Sequence, residues 1–339
     1  MKFLIAGLGS IGRRHLRNLQ RLGQTDILLY RTYQSTLPEE DLAGLPVMTD
    51  LEQALAARPV AVIVANPTAQ HLEIAIPAVE AGCHLLLEKP VSHSMERVVE
   101  LEKTVQRQGV GVLVGFQFRF HPGLQRIKRL LQEEAIGRPL SARAVYGEYL
   151  PGMHPWEDYR GNYSSRADLG GGVVLTLCHP LDTLRWLLGE VEAVWAFTGQ
   201  LNDFDLPVED TAEIGLRFNQ GAIGSVELDF NRKPPVHDLE IIGTQGTIRW
   251  DNADGAAEVY RAEQGWQRFP APEAFERNDL FLAEMAHFLS VIRGETQPAC
   301  TLGDGIRALE IALAASRSAD EQILVSLNRE SSLNPGSVG

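Results

Sequence analysis

Four stretches of this chain have residue types and spacings that could do chemistry. The first is Gly7, Gly9 and Gly12 at G-x-G-x-x-G spacing, with Ser10 and Ile11 between them. Glycines so placed allow a tight turn, let a backbone approach a pyrophosphate and let a helix pack close to a strand. The second is Glu88-Lys89-Pro90, a charged pair where an apolar run ends. Lysine is rarely buried unless paired or working, and a following proline biases Lys89 away from helical geometry. The third surrounds His179, whose imidazole, with a reference pKa of about 6.5, suits proton transfer; Thr176 and Asp182 lie within a turn of it. The fourth, residues 151–168, holds His154, Trp156, Tyr159, Arg160, Asn162 and Tyr163 without periodicity. Long irregular segments of this composition often bind, and aromatic faces with planar donors suit a polyhydroxylated ring. No metal is expected, because neither the cysteines nor the residues beside Cys178 have ligand spacing.

These groups need elements to hold them. Residues 3–6 are an apolar run fit for one buried parallel strand, and 13–22 reads as a helix with Leu16, Leu19 and Leu22 inward. The glycines therefore join a strand to a helix N-terminus, whose unpaired N–H groups and partial positive charge attract phosphates. Further strands are expected over 27–30, 60–65, 84–87 and 110–116, with helices over 51–57 and 71–82. Loops at the carboxyl ends of parallel strands face the ligand crevice. That puts Arg31 where an adenosine ribose is read, and Asn66, Pro67 and Thr68 on the wall of a nicotinamide site. His71, Glu88 and Lys89 join them as cofactor-binding candidates. An acidic residue in place of Arg31 would accept from the ribose 2′-OH of NAD. A guanidinium suits a 2′-phosphate, so NADP is slightly favoured over NAD.

Further along, 124–131 is amphipathic, 140–149 reads as a strand, and one helix is expected from Gly170-Gly171-Gly172 to Gly189. Period-two alternation begins at Val191, and Asn219-Gln220-Gly221 marks a hairpin turn. About six antiparallel strands and helices over 278–292 and 304–316 follow from this pattern. The expected fold class is α/β. An N-terminal Rossmann doubly wound parallel sheet would occupy 1–120. A C-terminal α+β domain with a large, mostly antiparallel open sheet would occupy 121–327, binding substrate and joining copies. Residues 328–339 have little apolar content and read as a flexible tail.

GLGSIG, NPT with a following histidine, EKP after the fourth strand and GFQFRFHP after the next together resemble the Gfo/Idh/MocA oxidoreductase family. That family includes glucose–fructose oxidoreductase and inositol dehydrogenase, and the resemblance runs from residue 1 to about 325. It implies hydride transfer between NAD(P) and a hydroxyl or keto carbon of a sugar, cyclitol or sugar derivative. It also puts His179 on the family's catalytic histidine. Many members carry an aspartate one turn earlier, where this chain reads Leu175-Thr176, so Thr176 or Asp182 would share that role. Arg119, His154, Trp156, Tyr159, Arg160, Thr176 and Asp182 are the candidate substrate-binding residues. Lys89 and His179 are the candidate catalytic pair. Either the local field lowers Lys89 from about 10.4 so that it acts as base, or it stays charged on the substrate oxygen and His179 takes the proton. Two other readings stand beside this one. One is a non-catalytic NAD(P)- and sugar-binding sensor; the other is an enzyme using transient NAD redox for elimination or glycosidic cleavage.

The bulk numbers narrow the setting. A chain of 339 residues suggests two domains, and 44% hydrophobic with 22% charged residues is an ordinary globular composition. A net charge of -13 argues against nucleic acid and membrane surfaces as partners. Three separated cysteines, no membrane-length apolar stretch and a first strand too early for a signal peptide point to the cytoplasm. A sheet with helices on one face leaves the other bare, which suggests a homodimer or homotetramer through that face.

Overall fold

The computed structural model describes residues 1–32, 42 and 44–327; the tail reading over 328–339 lies outside the described residues. The first half alternates strands and helices: β1 (Phe3–Ala6), α1 (Ser10–Arg21), β2 (Ile27–Tyr30), β3 (Val47–Met48), α2 (Leu51–Ala56), β4 (Ala61–Val64), α3 (His71–Glu80), β5 (His84–Leu87), α4 (Val98–Gln108) and β6 (Val112–Val114). The strands form one parallel sheet in the order β3-β2-β1-β4-β5-β6. Every residue of β1 and β4 is buried, as their unbroken apolar runs require of strands covered on both faces. The order reverses between β1 and β4, so a crevice opens at their carboxyl ends. The glycine turn after β1 and Asn66 after β4 lie there.

The second half begins with α5 (Pro122–Gln132), β7 (Pro139–Gly147), α6 (Leu150–Met153), α7 (Val173–Thr176) and α8 (His179–Leu188). It continues through β8 (Val191–Gly199), β9 (Thr211–Phe218), β10 (Ile223–Asp229), β11 (Val236–Gly243), β12 (Gly246–Asp251), β13 (Ala257–Arg261) and β14 (Gly265–Phe269), then α9 (Arg277–Ile292), α10 (Leu302–Glu321) and β15 (Val325–Ser326). These strands form a nine-stranded sheet, β14-β13-β12-β11-β7-β10-β9-β8-β15, antiparallel except where β10 runs parallel to β7. The sheet has three strands more than the expected six, and two of the additions are the edge strands β14 and β15. β15 has two residues, and Gly265–Phe269 is half-buried to exposed, so neither carries an apolar alternation to read.

The single helix expected across 173–188 is two. Pro180 lacks an N–H and its ring crowds the carbonyl four residues back, so the α-helical ladder cannot run through Thr176. α7 ends at Thr176, and α8 begins at His179 with Pro180 in its first turn. The last two helices return to the first half. The N–H of Val114 donates to Cys300 O at 3.0 Å just before α10. A Cβ on Gly305 of α10 would lie 2.7 Å from Val91 Cγ2 and 2.8 Å from Val114 Cγ2, so glycine allows this close approach. α9 lies along α1, where Asn278 Nδ2 donates to Asn18 Oδ1 at 2.9 Å and Arg14 donates to Asn278 Oδ1 at 3.3 Å. Among the described residues no helix is long and apolar enough to cross a membrane.

Candidate active site

The glycine turn is shaped for a dinucleotide. Gly7 has φ +92°, and a Cβ there would lie 2.4 Å from the Asn66 nitrogen; a Cβ on Gly12 would lie 2.0 Å from Gly7 O. A Cβ on Gly9 would meet nothing within 4 Å, so that face of the turn is open. Gly9 caps α1 with no side-chain bond, and no acidic residue stands in the first turn. The first N–H groups of the helix, at Ser10 and Ile11, thus remain available to an anion. Asn66 Oδ1, across the crevice, is buried without a hydrogen-bond partner. An open glycine face, uncapped N–H groups and an orphaned amide oxygen fit the phosphates and amide of NAD(P).

Two of the expected cofactor contacts are otherwise engaged. Both nitrogens of the buried His71 ring lie against main-chain carbonyls, Nδ1 at 2.9 Å from Pro90 O and Nε2 at 3.0 Å from Asn66 O. The imidazole ties two loops together and offers no nitrogen to a ligand. Glu88 is likewise buried and bonded to His15 Nε2 at 2.7 Å. Sequence reading misplaced both because an open loop and a buried strand end look alike until packing is known. Arg31 ends β2 as expected, but it is buried with an interaction of its own. Pro67 and Thr68 enter the short turn before α3, with Thr68 buried.

Lys89 and the His179 turn come together. Lys89 Nζ donates to Thr176 O at 2.7 Å. This is the carbonyl that Pro180, four residues on, cannot bond within the helix. The helix break thus supplies the acceptor that anchors the ammonium three residues before His179. The Lys89-Pro90 peptide bond is cis. Burial works against the charge on Lys89, but Tyr163, Cys178, Glu88 and Glu148 outweigh it, and the pKa lies above the ordinary lysine value. The ammonium therefore persists at neutral pH, which favours the second of the two expected roles, a charged Lys89 on the substrate oxygen.

His179 is held in the opposite state. Phe116 meets its ring edge-on at 5.6 Å and Phe118 at 5.0 Å between centroids. Behind them His237 stacks on Tyr146 at 4.2 Å and lies edge-on to Phe118 and Trp250. Burial first, then Lys89, His237 and Arg277, push the His179 pKa well below its usual value, so the imidazole is neutral. The Gln117 side-chain nitrogen lies 3.3 Å from Nε2, and Nδ1 is buried without a partner. Thr176 Oγ1 is also buried and unpartnered. An anchored ammonium beside a neutral imidazole can orient an oxygen with one group and move its proton with the other.

Arg119 and Asp182 do not face this cleft. They pair with each other, Arg119 Nε to Asp182 Oδ2 at 2.9 Å and Nη2 to Oδ1 at 2.6 Å, both side chains buried. Arg119 also donates to Ala299 O at 2.7 Å and lies 3.3 Å from Asp304. The pair fastens the GFQFRFHP turn to α8 and the start of α10, which corrects the reading of both as substrate-binding. The 151–168 segment is α6 followed by short 3-10 turns. His154 packs against the exposed Trp156 and has a buried, unpartnered Nδ1; the Arg160 guanidinium lies 4.7 Å over Tyr159. Tyr163, from the same segment, acts electrostatically on Lys89.

Sequence reading missed Gln117, Glu148 and Arg277. Gln117 lies inside GFQFRFHP, where no spacing sets it apart from its neighbours. Glu148 follows β7, accepts from Tyr146 Oη at 2.9 Å and reaches Lys89 electrostatically. Arg277, the first residue of α9, is exposed and bears on His179, His154 and Tyr146. No local spacing marks an arginine about a hundred residues downstream as a neighbour of His179.

Residues 1–116 match the model of an oxidoreductase family with an NAD-binding Rossmann fold, and residues 124–249 match the GFO/IDH/MocA C-terminal domain. The chain is 29% identical, over an alignment of 346 positions, to the myo-inositol 2-dehydrogenase of Thermotoga maritima, covering 96% of this chain and 98% of that one. It is 30% identical over 266 residues to the 1,5-anhydro-D-fructose reductase of Ensifer adhaerens, covering 76% of this chain and 77% of that protein. A levoglucosan dehydrogenase solved with NADH and levoglucosan has the same fold, with TM-score 0.86 at 22% identity over 96% of this chain and 99% of that one.

Proposed function

The chain belongs to the Gfo/Idh/MocA oxidoreductase family, and from that premise we propose that it moves hydride between NAD(P) and a hydroxyl or keto carbon of a sugar, cyclitol or sugar derivative. The observation that carries this reading is the Lys89 ammonium, 2.7 Å from Thr176 O, three residues before His179. When bound, the nicotinamide supplies the redox chemistry by taking or giving the hydride. The main chain at Gly7, Gly9, Ser10, Ile11 and Gly12 holds the pyrophosphate, and Asn66, Pro67 and Thr68 wall the nicotinamide. Lys89 stays charged and donates to the substrate oxygen. His179, neutral, takes the hydroxyl proton in oxidation and returns it in reduction. The orphaned Thr176 hydroxyl and the His154, Trp156, Tyr159 and Arg160 loop meet the substrate's remaining hydroxyls.

Oxidation of a panel of sugars, cyclitols and sugar derivatives, followed by reduced-nicotinamide absorbance with NAD and with NADP, tests the reading. Lys89→Met and His179→Ala should each lower kcat by about two orders of magnitude or more. Near wild-type turnover in both variants would end the assignment. Tightly held cofactor with no net turnover would favour transient redox or a sensor instead.

The finer parts of the reading rest on narrower support. NADP is slightly favoured on the guanidinium at the end of β2; Arg31→Ala should raise KM for NADP more than for NAD, and an unchanged ratio removes that preference. A cytoplasmic setting is supported by three free, buried cysteines. The division into a cofactor domain over 1–120 and a substrate and assembly domain over 121–327 follows the two sheets.

A further inference from the structure

Behind Lys89, where three elements meet, lies a cluster that hydride transfer as described does not use. His15 comes from α1, Glu88 from the end of β5 and Glu284 from α9, and one nitrogen or oxygen of each lies within 4.8 Å of the others. His15 and Glu284 are 0% exposed and Glu88 is 7% exposed. His15 Nε2 and Glu88 Oε1 are 2.7 Å apart, while Glu88 Oε2 accepts from the Lys89 main-chain N–H at 3.2 Å. Glu88 thus grips the backbone of the residue that presents the ammonium. Glu284, from the half of the chain that supplies His179, has no hydrogen-bond partner at either oxygen.

His15 and the Lys89 main-chain N–H already serve Glu88. A second carboxylate at this separation, out of water and with no donor of its own, would stand as an uncompensated buried charge beside a like charge. We propose that Glu284 is a positioning residue that carries a proton and closes the His15–Glu88 pair from the C-terminal half, holding the strand end that presents Lys89. The inference rests on Lys89 being the working ammonium. Burial pushes Glu284 well above the ordinary carboxyl value, and Glu88 pushes it further. Burial opposes the charge on Glu88 too, but His15, through its hydrogen bond and its charge, and Lys89 outweigh it and hold Glu88 low. The other titratable groups around the cluster are Cys300 and Cys178, whose thiols are themselves pushed up, and Arg14 and His71; Cys178, Arg14 and His71 all feel Glu88.

A carboxyl raised in the folded state stabilises fully below its unfolded value, about 4.5, and that contribution is lost as pH rises through the folded value. Glu284→Gln keeps the shape and cannot ionise, whereas Glu284→Ala leaves a hole. The full-length wild type and both variants would be compared by kcat and KM, cofactor affinity from fluorescence quenching, melting temperature across pH, and elemental analysis for bound divalent metal. E284A should lose about tenfold or more in kcat, and E284Q should restore most of that loss. E284Q should melt with the wild type at the acid end of the range and above it at the alkaline end. The proposal is overturned if E284Q is as impaired as E284A, if E284A turns over like wild type, or if the wild type holds stoichiometric metal that E284Q lacks. Should E284A fail to fold, an E284Q melting profile parallel to wild type overturns it alone. Full activity in Lys89→Met would instead sink the catalytic reading and leave the melting profiles unaffected.

Discussion

His179 has a neutral ring because of its surroundings. Aromatic edges meet it and the buried His237 acts on it. His237 is pushed down to about 3, by burial first and then by His121, which burial pushes down to about 4. A histidine lowered in the folded protein binds fewer protons than in the unfolded chain. Its contribution to stability is present above the unfolded value of about 6.5 and is lost as pH falls towards the folded value. Melting temperature should therefore decline as pH drops from about 6.5 towards 4, and His237→Gln should flatten that decline. For the same reason the acid limb of kcat/KM for oxidation should lie below about 6.5, since His179 remains a base there. A limb above that value would mean that another group accepts the proton. Arg119 and Asp182 carry the opposite lesson: each has a residue type that suits substrate, and each is occupied by the other.

At the scale of elements, the site depends on two places where regular structure stops. One is the turn between β1 and α1. Gly7→Ala would drive a Cβ to 2.4 Å from the Asn66 nitrogen at φ +92°, so it should destabilise the fold as well as remove cofactor binding. Gly9→Ala meets nothing within 4 Å, so the protein should melt near wild type while cofactor affinity falls about tenfold or more. Thermal melts beside cofactor titrations separate the two, and unchanged affinity in Gly9→Ala would remove the pyrophosphate from that turn. The other place is the break between α7 and α8. A proline in the first turn of α8 frees the Thr176 carbonyl for Lys89, so a local backbone rule produces a contact between residues 87 apart in the chain. The spacing of apolar residues runs unbroken through this region, and the break therefore hid inside one expected helix.

At the scale of the whole molecule, the nine-stranded sheet exposes apolar side chains among the described residues. Trp195 and Phe197 on β8, Ile223 on β10, Ile242 on β11, Tyr260 on β13 and Trp266 on β14 are exposed large hydrophobic residues on the nine-stranded sheet. A cavity of about 230 Å³ opens among β7, β10 and β11, lined by Ser141, Arg143, Ile223, Ser225, Glu240 and Ile242. Exposed apolar side chains on five strands of one sheet favour burial against a second copy, which is the basis for proposing a homodimer or homotetramer through the open sheet. Phe197→Glu should shift sedimentation to the monomer, with fold and cofactor binding retained. A wild type that sediments as a monomer at micromolar concentration would refute the proposal.

What was legible in the sequence was local. A glycine spacing between a strand and a helix, unbroken apolar runs for buried parallel strands, and alternation for the second sheet each act over a few residues. They were enough for the two-sheet α/β architecture and for marking Lys89 and His179. Which side chain meets which was decided only by tertiary packing. His71 ties two loops, Arg119 holds Asp182, Pro180 hands a carbonyl to Lys89, and Gln117, Glu148, Arg277 and Glu284 converge from distant segments on one cleft and the ground behind it. The reason is physical: backbone geometry follows from neighbours in sequence, whereas charge state and hydrogen-bond partner follow from whatever the fold brings within a few ångströms.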